Sequence, residues 1–328
     1  MKPRSTKFIS NLRLPLLAGG ASLFLAALSV SCAALDADKT HSFACRQEGN
    51  SLTITHDLQP VAQFVFADTN ILRPYFAHVR TPDGIQVTRT HPPVSGVDPV
   101  DHATMHPGIW MAFGDISGQD FWRNKATIRQ ERFIETPSVK NNKLSFVTES
   151  SMIATNGDIL GSLASSFTLE AQKDGYLLVW AAAFIPTTDG FTLGDQEEMG
   201  FGVRVATAIS EKNGGTVRNS EGIVGAKAAW GKTADWCDYS GVISNRLVGM
   251  TVMADPKNFR PSWFHSRDYG LVVANPFGNK AFTKGEPSSV PVKKGDTFHL
   301  RFAAFIHSTA PNEPPDIADA YEAFSNPR

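Results

Sequence analysis

SLASSFTLEAQKDGYLLVWAAAFIP, residues 162–186, decides the fold. Its first half alternates through Leu163, Ser165, Phe167 and Leu169, the period of a strand with one buried face. Asp174-Gly175 then gives a hairpin signal. GYLLVWAAAFIP, residues 175–186, is apolar enough to be buried on both faces. Two long antiparallel strands joined by a tight turn follow.

The pattern spreads in both directions. SLTIT places Leu52 and Ile54 together, FVF follows at 64–66, and KLSFVTES puts Leu144 and Phe146 on one face. GFGVRVATA sets Phe201, Val203 and Val205 opposite Arg204, and RLVGMTVMAD, GLVVANPF and FHLRFAAFI complete the set. RTPDGIQV carries a second Asp-Gly turn. One helix is expected, where DIADAYEAF spaces Ile317, Ala320, Tyr321 and Phe324 behind Pro314-Pro315. It should cap one end of the sandwich. The expected fold is all-β: a large antiparallel β-sandwich (supersandwich-like) with a short C-terminal helix, one domain over residues 34–328.

Residues 1–33 read as a signal peptide. Lys2, Arg4, Lys7 and Arg13 precede an apolar run from Leu14 to Val30. Export to the periplasm or envelope is the expectation, with no membrane span in the mature chain. Cys32 is placed for a lipid anchor, although the usual leucine stands at 28 instead of 29; cleavage after Ala33 or Ala34 is the other route. Cys45 and Cys237 can pair in an oxidising compartment or stay as separate buried thiols. Past residue 35 the chain holds 27 basic and 32 acidic residues, a balance that speaks against nucleic acid as a partner.

Candidate chemistry concentrates in long loops. Residues 91–108, HPPVSGVDPVDHATMHPG, hold His91, His102 and His106 with Asp98 and Asp101. The three residues between His102 and His106 suit metal ligation on a helix, but Pro107 and Gly108 argue against that helix, and no metal or other cofactor is expected. Histidine near neutral pH suits acid–base work. FGDISGQDFWRN adds Trp122, and GDQEEMGFGVRVA adds the Glu197-Glu198 pair and Arg204. Trp236, Tyr239, His265, Arg267 and Asn275 come from two later stretches. Tryptophan faces with Arg, Asp and Asn suit a polyhydroxylated ligand. The chain has neither a G-x-S-x-G elbow nor a phosphate-cradling glycine loop.

RPYFAHVRTPDGIQVTR, the 91–124 segment, EEMGFGVRVA, DWCDYSG and RDYGLVVANPFG together resemble a bacterial family of unassigned function labelled PmoA-like, or "methane oxygenase PmoA". The resemblance covers nearly the whole mature chain. It implies a secreted β-sandwich and, by analogy of fold, the galactose mutarotase-like supersandwich, in which His and Glu transfer protons at a sugar bound in a cleft. Methane oxidation is not expected, because no spanning segment follows the signal; copper-dependent oxidation rests on the label alone.

The expectation is an exported carbohydrate-active enzyme working by proton transfer: epimerisation, elimination or hydrolysis. His102, His106 and Glu198 are the expected catalytic groups. His78, Arg80, His91, Trp122, Arg204, Trp236, Tyr239, His265, Arg267 and Asn275 are the expected ligand contacts. The other reading is a carbohydrate-binding protein of the envelope that uses the same cleft without turnover.

Overall fold

The 162–186 stretch folds as the strands Ile159–Gln172 and Gly175–Pro186, paired antiparallel from Gly161 opposite Pro186 to Gln172 opposite Gly175. The turn itself is Lys173 and Asp174. Gly175 is the first strand residue, where a Cβ would meet the Ile306 carbonyl oxygen at 1.9 Å. The computed structural model describes residues 42–187 and 189–327. Residues 1–33, expected to be a signal peptide, and Cys32 among them lie outside the described residues.

Among the described residues two large antiparallel sheets form a sandwich. The first has nine strands, in the order Phe43–Glu48, Ser51–His56, Gln59–Val65, Tyr75–Ala77, Ile109–Phe113, Met199–Arg204, Leu271–Asn275, Trp263–Arg267 and Lys232–Thr233. The second has eight: Thr216–Asn219, Trp236–Ile243, Arg246–Ala254, Phe298–Thr309, Gly175–Pro186, Ile159–Gln172, Lys143–Ile153 and Thr127–Lys140. Gly190–Leu193 and Val290–Lys293 pair separately.

Aromatic side chains meet between the sheets. Phe201 stacks on Phe302 at 5.7 Å, Phe113 meets Phe184 at 5.2 Å and Phe76 meets Trp180 at 6.0 Å. Fully burying each is worth about 1.5–3 kcal/mol. Cys45 and Cys237 are free and lie on different sheets, so packing does this work without a bridge.

The C-terminal helix, Ile317–Ser325, forms where its spacing predicts. It does not cap an end of the sandwich. Ile317, Ala320 and Phe324 pack on Leu177, Met253, Ala303 and Phe305, on the outer face of the second sheet. Asp316 caps it, accepting from the Asp319 N–H at 3.1 Å.

The middle of the first sheet is buried on both sides. Ile109, Met111, Phe113, Phe201 and Val203 face the main core. Trp110, Ala112, Leu271 and Val273 face outward into a smaller cluster with Ile71, Tyr75 and Trp122. The loops before Tyr75 and before Ile109 fold over this outer face, and the second holds His91, His102 and His106.

Candidate functional site

Pairing register lays out the outer face of the first sheet. Gly202 lies opposite Trp110 on one side and Val273 on the other; Val273 lies opposite His265, and Leu271 lies between Arg204 and Arg267. Trp110, Arg204, His265 and Arg267 therefore share one face, because residues two apart on a strand point the same way. Gly202 is required here. A Cβ would meet Trp110 Cζ2 at 2.8 Å, so the indole lies across the bare backbone.

A column of rings rises from that indole. His106 stacks on Trp110 at 5.0 Å and 9°, His102 on His106 at 4.8 Å and 24°, and Tyr269 on His102 at 5.9 Å and 21°. The spacing of His102 and His106 has a local cause. The His106 N–H donates to the His102 carbonyl at 3.0 Å, closing one helical turn that sets the two imidazoles face to face. Stacked rings do not converge on one ion. Among the described residues no group of three or more His, Cys, Asp or Glu side chains is arranged to hold a metal.

Two buried arginines hold the loops under this column. Arg89 donates to the backbone carbonyls of Pro99 (2.9 Å), Asp101 (2.7 Å) and His106 (3.2 Å). Arg73 donates to the Trp122 carbonyl at 3.0 Å, to Asn124 Oδ1 at 2.7 Å and to the Met105 carbonyl. Both side chains are 2% exposed or less. The planar fork of donors suits this use, since irregular buried backbone has no ladder to satisfy its carbonyls.

His102 is exposed, and its Nδ1 stands 2.8 Å from Asp101 Oδ2. Asp101 also accepts both terminal nitrogens of buried Arg204 at 3.1 Å. Arg204 lies 4.3 Å from the Tyr269 ring centre. Burial opposes ionisation of Asp101, but hydrogen bonds from His102 and Arg204 hold its carboxyl at about 2. His106 differs. Burial, with Arg204, His102, Arg89 and Arg73 nearby, pushes it well below the usual histidine range, so it is neutral. At 3% exposure it is a wall of the column.

A second cluster forms around Glu197. Its Oε1 accepts from Trp230 Nε1 at 2.8 Å and from Arg267, and lies 3.0 Å from His265 Nε2. Burial works against the charge, yet His265, Trp230 and Arg267 hold the carboxyl at about 2. Glu198 points elsewhere, to Arg123 at 2.6 Å, and Arg123 also bonds Asp120. Both glutamates lie in the bend just before the strand Met199–Arg204, and the pair divides between two partners. Tyr269 joins the clusters electrostatically: Arg204, Arg267, Asp101 and Glu197 all act on its hydroxyl, which burial raises.

His78 and His91 sit apart. With Asp68, Tyr75 and Gln63 they line a separate cavity of about 380 Å³ toward the Ser51–Val65 side of the sheet. Burial lowers His91 to about 4, and burial with Arg80 lowers His78.

Other expected contacts take structural positions. Arg80 bonds the Gly84 carbonyl and Gln86, bracing its own hairpin. Asn275 is 0% exposed and donates to the Gln196 and Glu197 carbonyls. Tyr239, also 0% exposed, bonds the Glu211 N–H and the Asp268 carbonyl, fixing the turn that follows Arg267. Trp122 is 1% exposed beneath Trp110 and His106, which leaves no face open for a ligand. Trp236 lies on the second sheet beside the C-terminal helix. Asp101, Glu197, Trp230 and Tyr269 join the face without having been expected contacts. An acidic residue next to a loop histidine is the one sequence signal that points to such a group.

A cavity of about 420 Å³ on the outer face of the second sheet is floored by Ala164, Ala181 and Ala183. The one carboxylate lining it, Asp255, is paired with Arg301 at 2.6 Å. His299 also lines it, but the carboxylate is taken by the arginine.

Fold and face together define a large antiparallel sandwich with ionised carboxylates, arginines and stacked imidazoles on one outer surface. Residues 51–322 match the model of a family of unknown function, DUF6807, and the chain belongs to that family. The match lends no support to the PmoA-like label. No curated protein matches the chain. Among solved structures it is similar to a galactose mutarotase-like protein from Lactobacillus casei ATCC 334, at 10% identity and TM-score 0.36 over 81% of this chain and 100% of that one. It is also similar to the Slr1438 protein of Synechocystis sp. PCC 6803, at 14% identity and TM-score 0.37 over 83% of this chain and 94% of that one. A galactose mutarotase-like protein from Clostridium acetobutylicum gives 8% identity and TM-score 0.35 over 81% and 95%.

Proposed function

We propose that the outer face of the first sheet binds carbohydrate, and that the protein is an exported enzyme that moves a proton at a sugar carbon or hydroxyl. The observation that carries this reading is the His102–Asp101 pair at 2.8 Å. An ionised carboxylate at Nδ1 fixes the ring's tautomer and orientation, leaving Nε2 to exchange a proton with a ligand. His102 is the acid–base group, Asp101 its positioning residue, and His106 the surface it stacks on. Glu197, gathered with His265 and Arg267, is the complementary carboxylate, since Glu198 turns to Arg123; Arg267, 39% exposed, is the polar anchor, with buried Arg204 and His265 behind it as positioning residues. Epimerisation, elimination and hydrolysis all need such a transfer.

The second reading, a binding protein of the envelope, is favoured by one feature. Asp101, Glu197 and Glu198 are each already engaged by an arginine, as a rigid recognition surface requires.

His102→Asn separates the two. The variant keeps a polar side chain but carries no proton near neutral pH. Turnover of a panel of neutral plant and algal oligosaccharides should fall by about 10²–10⁴-fold, with calorimetric affinity nearly unchanged. Equal turnover in wild type and variant removes His102 from the chemistry. Binding without turnover by the wild type establishes the binding protein.

A further inference from the structure

Trp230 is placed unlike the tryptophans of the core. Trp110, Trp122 and Trp180 are 2% exposed or less, whereas Trp230 is half-buried at the rim of the site. It follows the short helix Ala226–Ala229, and Gly231 turns the chain behind it at φ 68°. Its Nε1 is fixed on Glu197 at 2.8 Å, its edge meets Phe282 at 5.3 Å, and the Arg267 guanidinium lies 5.7 Å from its ring centre. An indole bonded at its one polar atom to an ionised carboxylate is oriented before any ligand arrives.

That indole lines a cavity of about 450 Å³ with Glu211, Lys227, Ser266, Arg267 and Asp268. The cavity lies beside the strand Trp263–Arg267. Past the pairing of Phe264 with Lys232, the helix Ala226–Ala229 packs on this strand, where Ser266 Oγ donates to the Ala226 carbonyl at 2.7 Å. The volume falls within the range of about 300–1,000 Å³ usual for small-molecule sites. The lining combines an apolar ring with a guanidinium, an ammonium and two carboxylates, which suits a sugar: C–H faces rest on the ring while paired hydroxyls reach the charged groups.

The cavity and the His102 centre are linked through one strand and its turn. Arg267 lines the cavity and bonds Glu197, and the hairpin turn after Arg267 carries Tyr269, which stacks on His102. We propose that the Trp230 cavity is a second saccharide subsite, so that the ligand is an oligosaccharide with one ring at Trp230 and another at His102. The inference rests on the reading of this face as a carbohydrate site, and it excludes a free monosaccharide as the preferred ligand.

The test uses the mature protein and homologous neutral series of gluco-, galacto- and xylo-oligosaccharides, from one ring to six. Calorimetry and tryptophan fluorescence give affinity against chain length. For the series that binds, the wild type should gain on the order of tenfold or more between one ring and several. Trp230→Ala should collapse that ratio, and Lys227→Ala, an exposed change that leaves the fold intact, should reduce it. Trp230→Phe keeps an aromatic ring and should retain part of the gain if the alanine variant fails to fold. His102→Asn should lose turnover and keep the length dependence. Equal affinity for one ring and for many in the wild type overturns the subsite while leaving the carbohydrate reading in place. A length dependence untouched in the Trp230 and Lys227 variants does the same. No binding to any series overturns both.

Discussion

His102 Nδ1 lies 2.8 Å from Asp101 Oδ2, and the carboxylate reaches that point only because Arg204 grips both of its oxygens from the sheet below. The loop and the sheet thus meet in one carboxylate. The exposed imidazole takes its orientation from a residue buried in the strand Met199–Arg204.

Asp101→Asn is the direct test of that coupling. It leaves Arg204 and Arg89 buried without their nearest negative charge. Removing one partner from a fully buried pair costs about 3–5 kcal/mol. Asp101 is 37% exposed and water reaches it, so we expect roughly 1–3 kcal/mol. Urea unfolding measures this. If the carboxylate orients the imidazole, turnover falls by more than the stability loss accounts for.

Acid should unfold the protein over a defined range. Asp101 and Glu197 ionise at about 2 in the folded chain against 3.8 and 4.5 ordinarily. Depressed carboxyl values stabilise the fold above the ordinary value, and the benefit is lost as pH falls through the folded one. The melting temperature should drop steeply from about pH 4.5 to 2. In the Asp101→Asn, Glu197→Gln double variant the slope should be shallower. An unchanged slope would place the acid sensitivity elsewhere.

His91 offers a second titration at higher pH. Burial holds it at about 4 against 6.5. A depressed histidine favours the fold while neutral, so stability is intact above 6.5 and declines as pH falls toward 4. NMR of the imidazole protons should show one histidine titrating near 4, absent in His91→Gln. That variant should also flatten the melting curve over the same range.

Arg73→Lys tests the guanidinium under the loops. A lysine carries the charge but not the fork, and it cannot reach the Trp122 and Met105 carbonyls and Asn124 together. Stability should fall by roughly 2–4 kcal/mol. Near-ultraviolet circular dichroism should report altered packing of Trp110 and Trp122. A variant as stable as the wild type would show that these carbonyls find other partners.

The fold was legible where one face of a strand is wet. Leu163, Phe167 and Leu169 alternate with polar neighbours because the second sheet is half open to water there. Thr127–Lys140 gave no such signal. It is an edge strand, largely exposed on both faces and broken by register shifts near Arg132 and Glu135. The loop of His102 and His106 stood out through its density of protonating groups, but spacing alone suits a shared metal as well as stacked rings. In the structure the two rings stack, with centroids 4.8 Å apart and planes 24° from parallel. Glu197 and Glu198 are adjacent, and sequence does not say which one turns toward His265. Trp122 and Trp230 are the same residue type in similar company; one lies beneath the loops and the other at the rim, a difference of tertiary packing. Tyr239 and Asn275 carry polar tips that bond loop backbone, which from sequence looks the same as ligand contact.

Loops are ordinarily where a protein keeps its freedom to move. Here Arg73 and Arg89 tie the irregular segments at 99–106 and 121–124 through their carbonyl oxygens, as a strand is tied by its neighbours. On the proposed reading, an incoming ligand would meet a surface that is already set. The entropy lost in forming the complex would then fall on the ligand rather than on the chain, and recognition would rest on shape instead of closure.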